Sequence, residues 1–200
     1  MTNDTRQHIL DTGQAIIGCK GFSAVGLSEI LKASGVPKGS FYHYFSSKEA
    51  FGEALIESYF NDYLSTVDSL FGNPELSAAE RLMNYFTYWL ETQANCDPKG
   101  KCLVVKLAAE VSDLSEAMRV VLEQGTRQAI SRLKDIIQEG IDDKSLPMRL
   151  NSQVVATTLY QLWLGASICT KIIRTATPLE SALVATKELL GLPLQQSHRC

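Results

Sequence analysis

The 200-residue sequence predicts an all-α protein in two parts: an N-terminal three-helix unit carrying a helix-turn-helix, and a larger C-terminal helical body, about nine helices in all. Three observations predict this. Apolar residues recur at helical steps of three and four along most of the chain, and no alternating β-branched run bounded by turn residues competes with them. Two short periodic segments flank Gly35-Val36-Pro37, the spacing of a helix-turn-helix. Charge is also divided unevenly: residues 1–50 hold five Lys/Arg against four Asp/Glu, whereas residues 51–200 hold fourteen against eighteen.

The first helix is expected over about 5–19, capped by Asn3 or Asp4, with Ile9, Gly13, Ile16 and Ile17 inward and Gly21 as its stop. A second spans 27–34. Gly35 supplies the freedom the turn needs, Val36 plugs it from below, and Pro37 opens a third helix ending near Tyr44. Ser46-Ser47-Lys48-Glu49 has capping-box spacing, with Ser46 as the cap of a long fourth helix whose inner face is Ile56, Phe60, Tyr63, Val67 and Leu70. Gly72-Asn73-Pro74 ends it. The fifth helix covers 78–94 with Leu82, Phe86, Trp89 and Leu90 inward, and a loop at Asp97-Pro98-Lys99-Gly100 precedes a sixth starting near Cys102. The seventh runs over 116–140 on Met118, Leu122, Ala129, Leu133 and Ile136, the eighth over 152–175, and the ninth begins beyond Pro178.

With 45% hydrophobic residues the chain can bury a sizeable core, and its formal net charge of −3 lacks the basic surplus of a nucleic-acid coat. The N-terminus shows no basic flank followed by an apolar run, so a cytoplasmic location is expected. Five cysteines, at 19, 96, 102, 169 and 200, include no Cys-x-x-Cys; free thiols are expected, with no metal and no cofactor. Residues 150–170 carry no charge but contain Asn151, Gln153, Thr157, Gln161 and Ser167, which fits a helix buried on more than one side within protein better than a membrane span.

In LSEILKASGVPKGSFYHYFSSKEAF, residues 27–51, Phe41 and Phe45 are four apart and lie on one anchoring face of the third helix. Lys38, Ser40, Tyr42 and His43 are left outward. Lys38 suits phosphate, Gly39 allows close backbone approach, and Ser40, Tyr42 and His43 offer contacts to base edges or backbone. Lys48 can clamp a further phosphate, and Ser28 in the second helix joins the DNA-contacting candidates. The run GVPKGSFYHYFSSKEAF, the preceding AVGLSEILKAS and the Gly21-Phe22 pair strongly resemble the N-terminal domain of the TetR (tetracycline-repressor) family of transcriptional regulators. That resemblance implies a DNA-binding domain over 1–50, a ligand-sensing and dimerisation domain over 51–200, and a homodimer formed through the eighth and ninth helices, with Gly165, Ala166 and Ser167 permitting close approach. It further implies a palindromic operator in double-stranded DNA, and release by an effector. One departure is Gly26, where the family commonly has Ser or Thr; a capping and phosphate-contacting side chain is missing there.

Cys102 follows Gly100-Lys101 at the start of the sixth helix, with Lys106 one turn on. A helix N-terminus and nearby cations both favour thiolate, whereas the bland reading is a buried small hydrophobe. Lys171 interrupts the apolar run WLGASICTKII; it either snorkels from a helix end or serves as a cation for an anionic effector or a nearby thiol. GKCLVVKLAAEVSDLSEAMR and LYQLWLGASICTKIIRT resemble the electrophile- and N-ethylmaleimide-responsive branch of the same family. The implied sensor uses Cys102, with Lys171 as its partner and Cys96 as an alternative disulfide partner. Cys19, Cys169 and Cys200 read as structural or incidental. Tyr85, Phe86, Trp89, Tyr160 and Trp163 are pocket candidates for a flat apolar ligand, although aromatics at helical spacing more often form core. The alternatives are a repressor of the same fold induced by a noncovalent ligand, such as a small carboxylate, and an enzyme. Against an enzyme, His8 and His43 lie in the N-terminal part and His198 in the tail, leaving the larger domain without a Ser/His/Asp or Cys/His constellation.

Overall fold

The computed structural model describes residues 2–94 and 102–193. Among these residues all regular structure is helical: α1 (Thr2–Lys20), α2 (Leu27–Ser34), α3 (Lys38–Tyr44), α4 (Lys48–Phe71), α5 (Ala78–Ala94), α6 (Leu103–Leu114), α7 (Glu116–Asp142), α8 (Ser152–Ile173) and α9 (Thr177–Leu190). Most of the predicted inner residues are buried: Ile9 and Ile17 on α1, Ile56, Phe60 and Val67 on α4, Leu82, Phe86 and Trp89 on α5, and Met118, Leu122, Ala129, Leu133 and Ile136 on α7, whereas Ile16, Tyr63, Leu70 and Leu90 are half-buried.

Further differences fall at helix ends, where local chemistry has near-equivalent choices one residue apart. Because α1 already begins at Thr2, Asp4 lies inside its first turn and favours the helix through the dipole instead of capping it. The cap of α4 is Ser47, not Ser46: its hydroxyl accepts from the Ala50 N–H at 3.0 Å. A capping box occurs instead at α5, where Ser77 Oγ accepts from the Glu80 N–H at 3.3 Å and Glu80 Oε2 accepts from the Ser77 N–H at 2.9 Å. The ninth helix starts one residue before Pro178, which its missing N–H allows in a first turn. The eighth stops at Ile173 because Arg174 turns left-handed at φ 61°.

The helices form two compact units. The first is built from α1, α2, α3, α6 and the N-terminal parts of α4 and α7, to Tyr63 and Thr126; the second from the remainders of α4 and α7 with α5, α8 and α9. In the first unit Gly125 of α7 lets the Phe60 ring of α4 lie against its backbone: a Cβ there would be 2.2 Å from Phe60 Cδ2. Replacing Gly125 by Val gains about 0.5 kcal/mol of helix propensity at most but forces Phe60 off its rotamer. The net loss is about 2 kcal/mol, a fall in Tm of roughly 4–8 °C on thermal unfolding of a chain this size. In the second unit buried Arg81 donates to the Phe71 carbonyl at the end of α4 and pairs with Glu139 of α7, while Asp143 Oδ2 accepts from the Ala78 N–H at 3.0 Å.

Candidate nucleic-acid interface and sensor thiol

α2 ends at Gly35, whose φ of 66° is left-handed, and the Val36 N–H closes the turn on the Leu31 carbonyl at 3.3 Å. An Ala at position 35 would carry a penalty of about 1–2 kcal/mol in that conformation. The N-cap of α2 is Gly26, with no side-chain cap bond, as its departure from Ser or Thr implies. α3 is then held by an aromatic cluster: the Phe41 ring lies 5.2 Å from Phe45 and 5.6 Å from Phe51, and all three are buried. Each such pair contributes about 0.5–1.5 kcal/mol beyond the burial of its area.

Anchoring α3 by Phe41 leaves its opposite side outward. Lys38, Gly39, Tyr42 and His43 are exposed and Ser40 is half-buried. The Lys38 ammonium sits 5.8 Å from the Tyr42 ring centroid, so cation and phenol share one patch. Ser28 is exposed on α2. Lys48 is placed differently from the other candidates: half-buried at the start of α4, it donates to the Phe22 carbonyl at 2.8 Å and lies 4.5 Å from the centre of the Phe22 ring. Burial lowers its pKa, and the charge of Glu110 partly offsets that shift.

Two residues that bond across this unit gave no local sequence signal. His8 of α1 bonds through Nε2 to the Ser34 carbonyl at 3.0 Å, so that nitrogen carries the proton and ties the end of α2 to α1. Glu110 of α6 accepts from the Phe22 and Ser23 N–H groups, 88 and 87 residues away in sequence. Burial on its own would raise the Glu110 carboxyl, but the hydrogen bonds from Ser23 and Phe22 and the charge of Lys106 together hold it below the ordinary range. The stabilisation it gives is therefore fully present above the usual glutamate range and lost as pH falls below that range, through the lowered native value.

Cys102 is the N-cap of α6 and is half-buried. Its sulfur makes no cap bond to the first turn; the Tyr59 hydroxyl donates to it at 3.5 Å. Tyr59 is in turn stacked on Tyr63 at 6.0 Å and 7°. Gly100, Lys101, Cys96, His198 and Cys200 lie outside the described residues. Cys19 and Cys169 are exposed free thiols. Lys171 is exposed in the last turn of α8 and belongs to the second unit, whereas Cys102 belongs to the first.

In the second unit Tyr85, Phe86, Trp89, Tyr160 and Trp163 come together as one buried cluster, with Phe86 stacked on Trp163 at 4.9 Å and Trp89 5.8 Å from Trp163. Trp89 Nε1 donates to Ser167 Oγ at 3.1 Å and Trp163 Nε1 to Thr186 Oγ1 at 2.9 Å, so both indoles are satisfied within the chain. Ser167 is thus turned into its own core, and of the three small residues expected at a helix contact only Gly165 is exposed. Nor is α8 buried on several sides of this chain. One face is core, and the other exposes Val154, Ile168, Ile172 and Ile173 beside Val184 and Leu189 of α9. Between the two helices runs a groove lined by Gln161, Leu162, Gly165, Cys169, Ser181 and Ala185.

Residues 9–55 match the family of bacterial regulatory proteins called tetR, and residues 78–186 match the tetracyclin repressor-like C-terminal domain. The chain belongs to the tetR family. This TetR-family chain is 40% identical over 191 residues to the HTH-type transcriptional repressor NemR of Escherichia coli K12, covering 96% of each. It is 34% identical over 185 residues to the repressor DhaR of a Mycobacterium strain, covering 92% of this chain and 91% of DhaR. Its fold superposes on the crystal structure of reduced E. coli NemR with a TM-score of 0.89 at 42% identity, over 95% of this chain and 98% of that one. It is accordingly a TetR-type transcriptional repressor, a class that binds operator DNA as dimers. Among the described residues no helix is long and apolar enough to cross a membrane.

Proposed function

We propose that this repressor reads its operator with residues 1–50 and senses an electrophile or oxidant through Cys102 in the helical body, residues 51–200. The reading face is Ser28, Lys38, Gly39, Ser40, Tyr42 and His43, with Lys48 at its edge. The observation that carries it is the third helix, anchored from below by Phe41 and Phe45 and open above at Tyr42, 46% exposed. In a homodimer paired through α8 and α9, two such helices would enter successive major grooves of a palindromic duplex. Selecting a duplex from a random pool with the wild-type protein tests this. Tyr42→Ala and His43→Ala should then each weaken binding about 5- to 100-fold, the loss of one base or phosphate contact, with unchanged melting. Wild-type affinity in both variants would remove the assigned face.

The sensor assignment is supported by the place of Cys102 at the N-cap position of α6, beside the Tyr59 hydroxyl, and by the likeness to a repressor solved in its reduced form. The reaction with a maleimide or quinone is conjugate addition: the thiolate sulfur bonds the electrophilic carbon, the C=C π bond breaks, and a proton is taken up from water. Hypochlorous acid would instead oxidise the thiolate to the sulfenic acid and leave as chloride. Lys171 and the Tyr85, Phe86, Trp89, Tyr160 and Trp163 cluster are assigned to effector binding. One observation favours a noncovalent ligand instead: Thr170 Oγ1 on α8 is buried with no hydrogen-bond partner among the described residues, a group that a polar ligand would satisfy. Intact mass of the released protein separates the two, since only the covalent route leaves an adduct. As a DNA-bound regulator, the protein would work in the cytoplasm and turn over no substrate.

A further inference from the structure

We propose that Glu110 is a positioning residue for operator binding, the group through which α6 holds the helix-turn-helix in its DNA-competent pose. Its two carboxylate oxygens accept from two consecutive backbone amides, Oε2 from Phe22 at 3.1 Å and Oε1 from Ser23 at 2.6 Å. Those amides belong to the short stretch that leaves α1 and leads into α2. The same peptide is gripped from the other side: the Phe22 carbonyl accepts from Lys48 at 2.8 Å, and the Lys48 ammonium lies over the Phe22 ring. Phe22 is buried at 3% exposure. One residue at the hinge of the reading head is therefore fixed at its N–H by α6 and at its carbonyl by α4.

Among the described residues the other backbone bonds of this connecting stretch are local, from Gly21 N–H to the Ile17 carbonyl at 2.8 Å, from Val25 N–H to the Phe22 carbonyl at 3.4 Å, and from Glu29 and Ile30 N–H to the Gly26 carbonyl at 3.1 and 3.3 Å. The first ties it to the end of α1, the second closes the stretch on itself and the last two join it to the start of α2; none reaches α4 or α6. Glu110 lies eight residues beyond Cys102 on the same helical segment, about 12 Å along the axis, and a helix of this length moves as a rigid body. Displacement of the start of α6 would thus be felt at Phe22 and Ser23, whichever effector causes it. The inference rests on the operator-binding reading and is independent of thiol chemistry at Cys102.

Glu110→Gln is the informative variant because it keeps size and shape. An amide has one acceptor oxygen, so one of the two backbone N–H groups must face the new NH2 donor. Amide hydrogen exchange and binding to a duplex selected by the wild-type protein are measured on the full-length dimer. Faster exchange is expected in the peptide covering residues 21–26, with α8 and α9 unchanged and operator Kd raised about tenfold, within the usual range of coupling between sites. Glu110→Asp, which keeps the charge but reaches less far, should fall between the two. Unchanged exchange at 21–26, exchange raised throughout the chain, or a Kd within twofold of wild type would each overturn the assignment. If the wild-type protein selects no duplex, the operator reading fails and this role falls with it, whereas the exchange measurement still reports whether Glu110 holds the corner.

Discussion

Gly165→Arg should convert the protein to a monomer and weaken operator binding at least about 100-fold. The position is exposed in mid-α8, and a Cβ added there meets nothing within 4 Å in the chain itself. The monomer consequently loses no packing, and an arginine in a helix interior gains up to about 0.8 kcal/mol over glycine in propensity. In a pair of chains the outcome differs. The exposed side of α8 offers Ile172 at 73% and Val154 at 60%, an apolar surface of the kind that soluble monomers rarely leave uncovered. An isologous contact between two such faces brings each Gly165 close to the partner helix, where a guanidinium and its stem cannot be accommodated or desolvated. Two tethered reading heads bind a palindrome far more tightly than one, and that avidity is what the substitution removes. Sedimentation velocity and operator titration check the two halves separately: a dimeric Gly165→Arg protein would place the interface elsewhere.

Cys102→Ser should bind operator as the wild type does and no longer be released by electrophile. Serine is close in size to cysteine, and at an N-cap it is the better residue by about 0.5–1 kcal/mol, so α6 has every reason to form. The hydroxyl still accepts from Tyr59. What disappears is nucleophilicity, because an alcohol forms its reactive anion far less readily than a thiol does. Retained release in this variant, with an adduct mapped to another cysteine, would transfer the role to Cys19 or Cys169, both exposed.

Much of this was legible in the sequence because it depends on neighbours three or four residues apart. Phe41 and Phe45 are separated by one helical turn, so assigning them to the anchor leaves Tyr42 and His43 outward without further information. Gly35 and Pro37 mark the turn in the same local way. The inner faces of α4, α5 and α7 follow from apolar period alone. What was not legible joins residues far apart in sequence. Nothing near Glu110 indicates that its oxygens meet the amides of Phe22 and Ser23, and nothing near Lys48 indicates that its ammonium is used on the Phe22 carbonyl. Gly125 reads as a weak point in a helix until Phe60 is seen against it. Ser167 looked like a residue for a partner helix because spacing does not distinguish the two sides of a charge-free helix; its bond to the Trp89 indole does. Ser46 and Ser47 are chemically identical caps, and only the geometry of the Ala50 amide selects the second.

On the proposed reading, modification of one thiol, Cys102, releases this repressor from DNA. The direct measurement uses a protein in which Cys19, Cys96, Cys169 and Cys200 are all Ser, so that Cys102 alone can react. Bound to a fluorescent duplex selected by the wild-type protein, it is titrated with N-ethylmaleimide while intact mass records the adduct. The expected result is that the fraction of DNA released rises in step with the fraction of Cys102 alkylated. Full alkylation of Cys102 with the duplex still bound at its original affinity would remove Cys102 as the sensor.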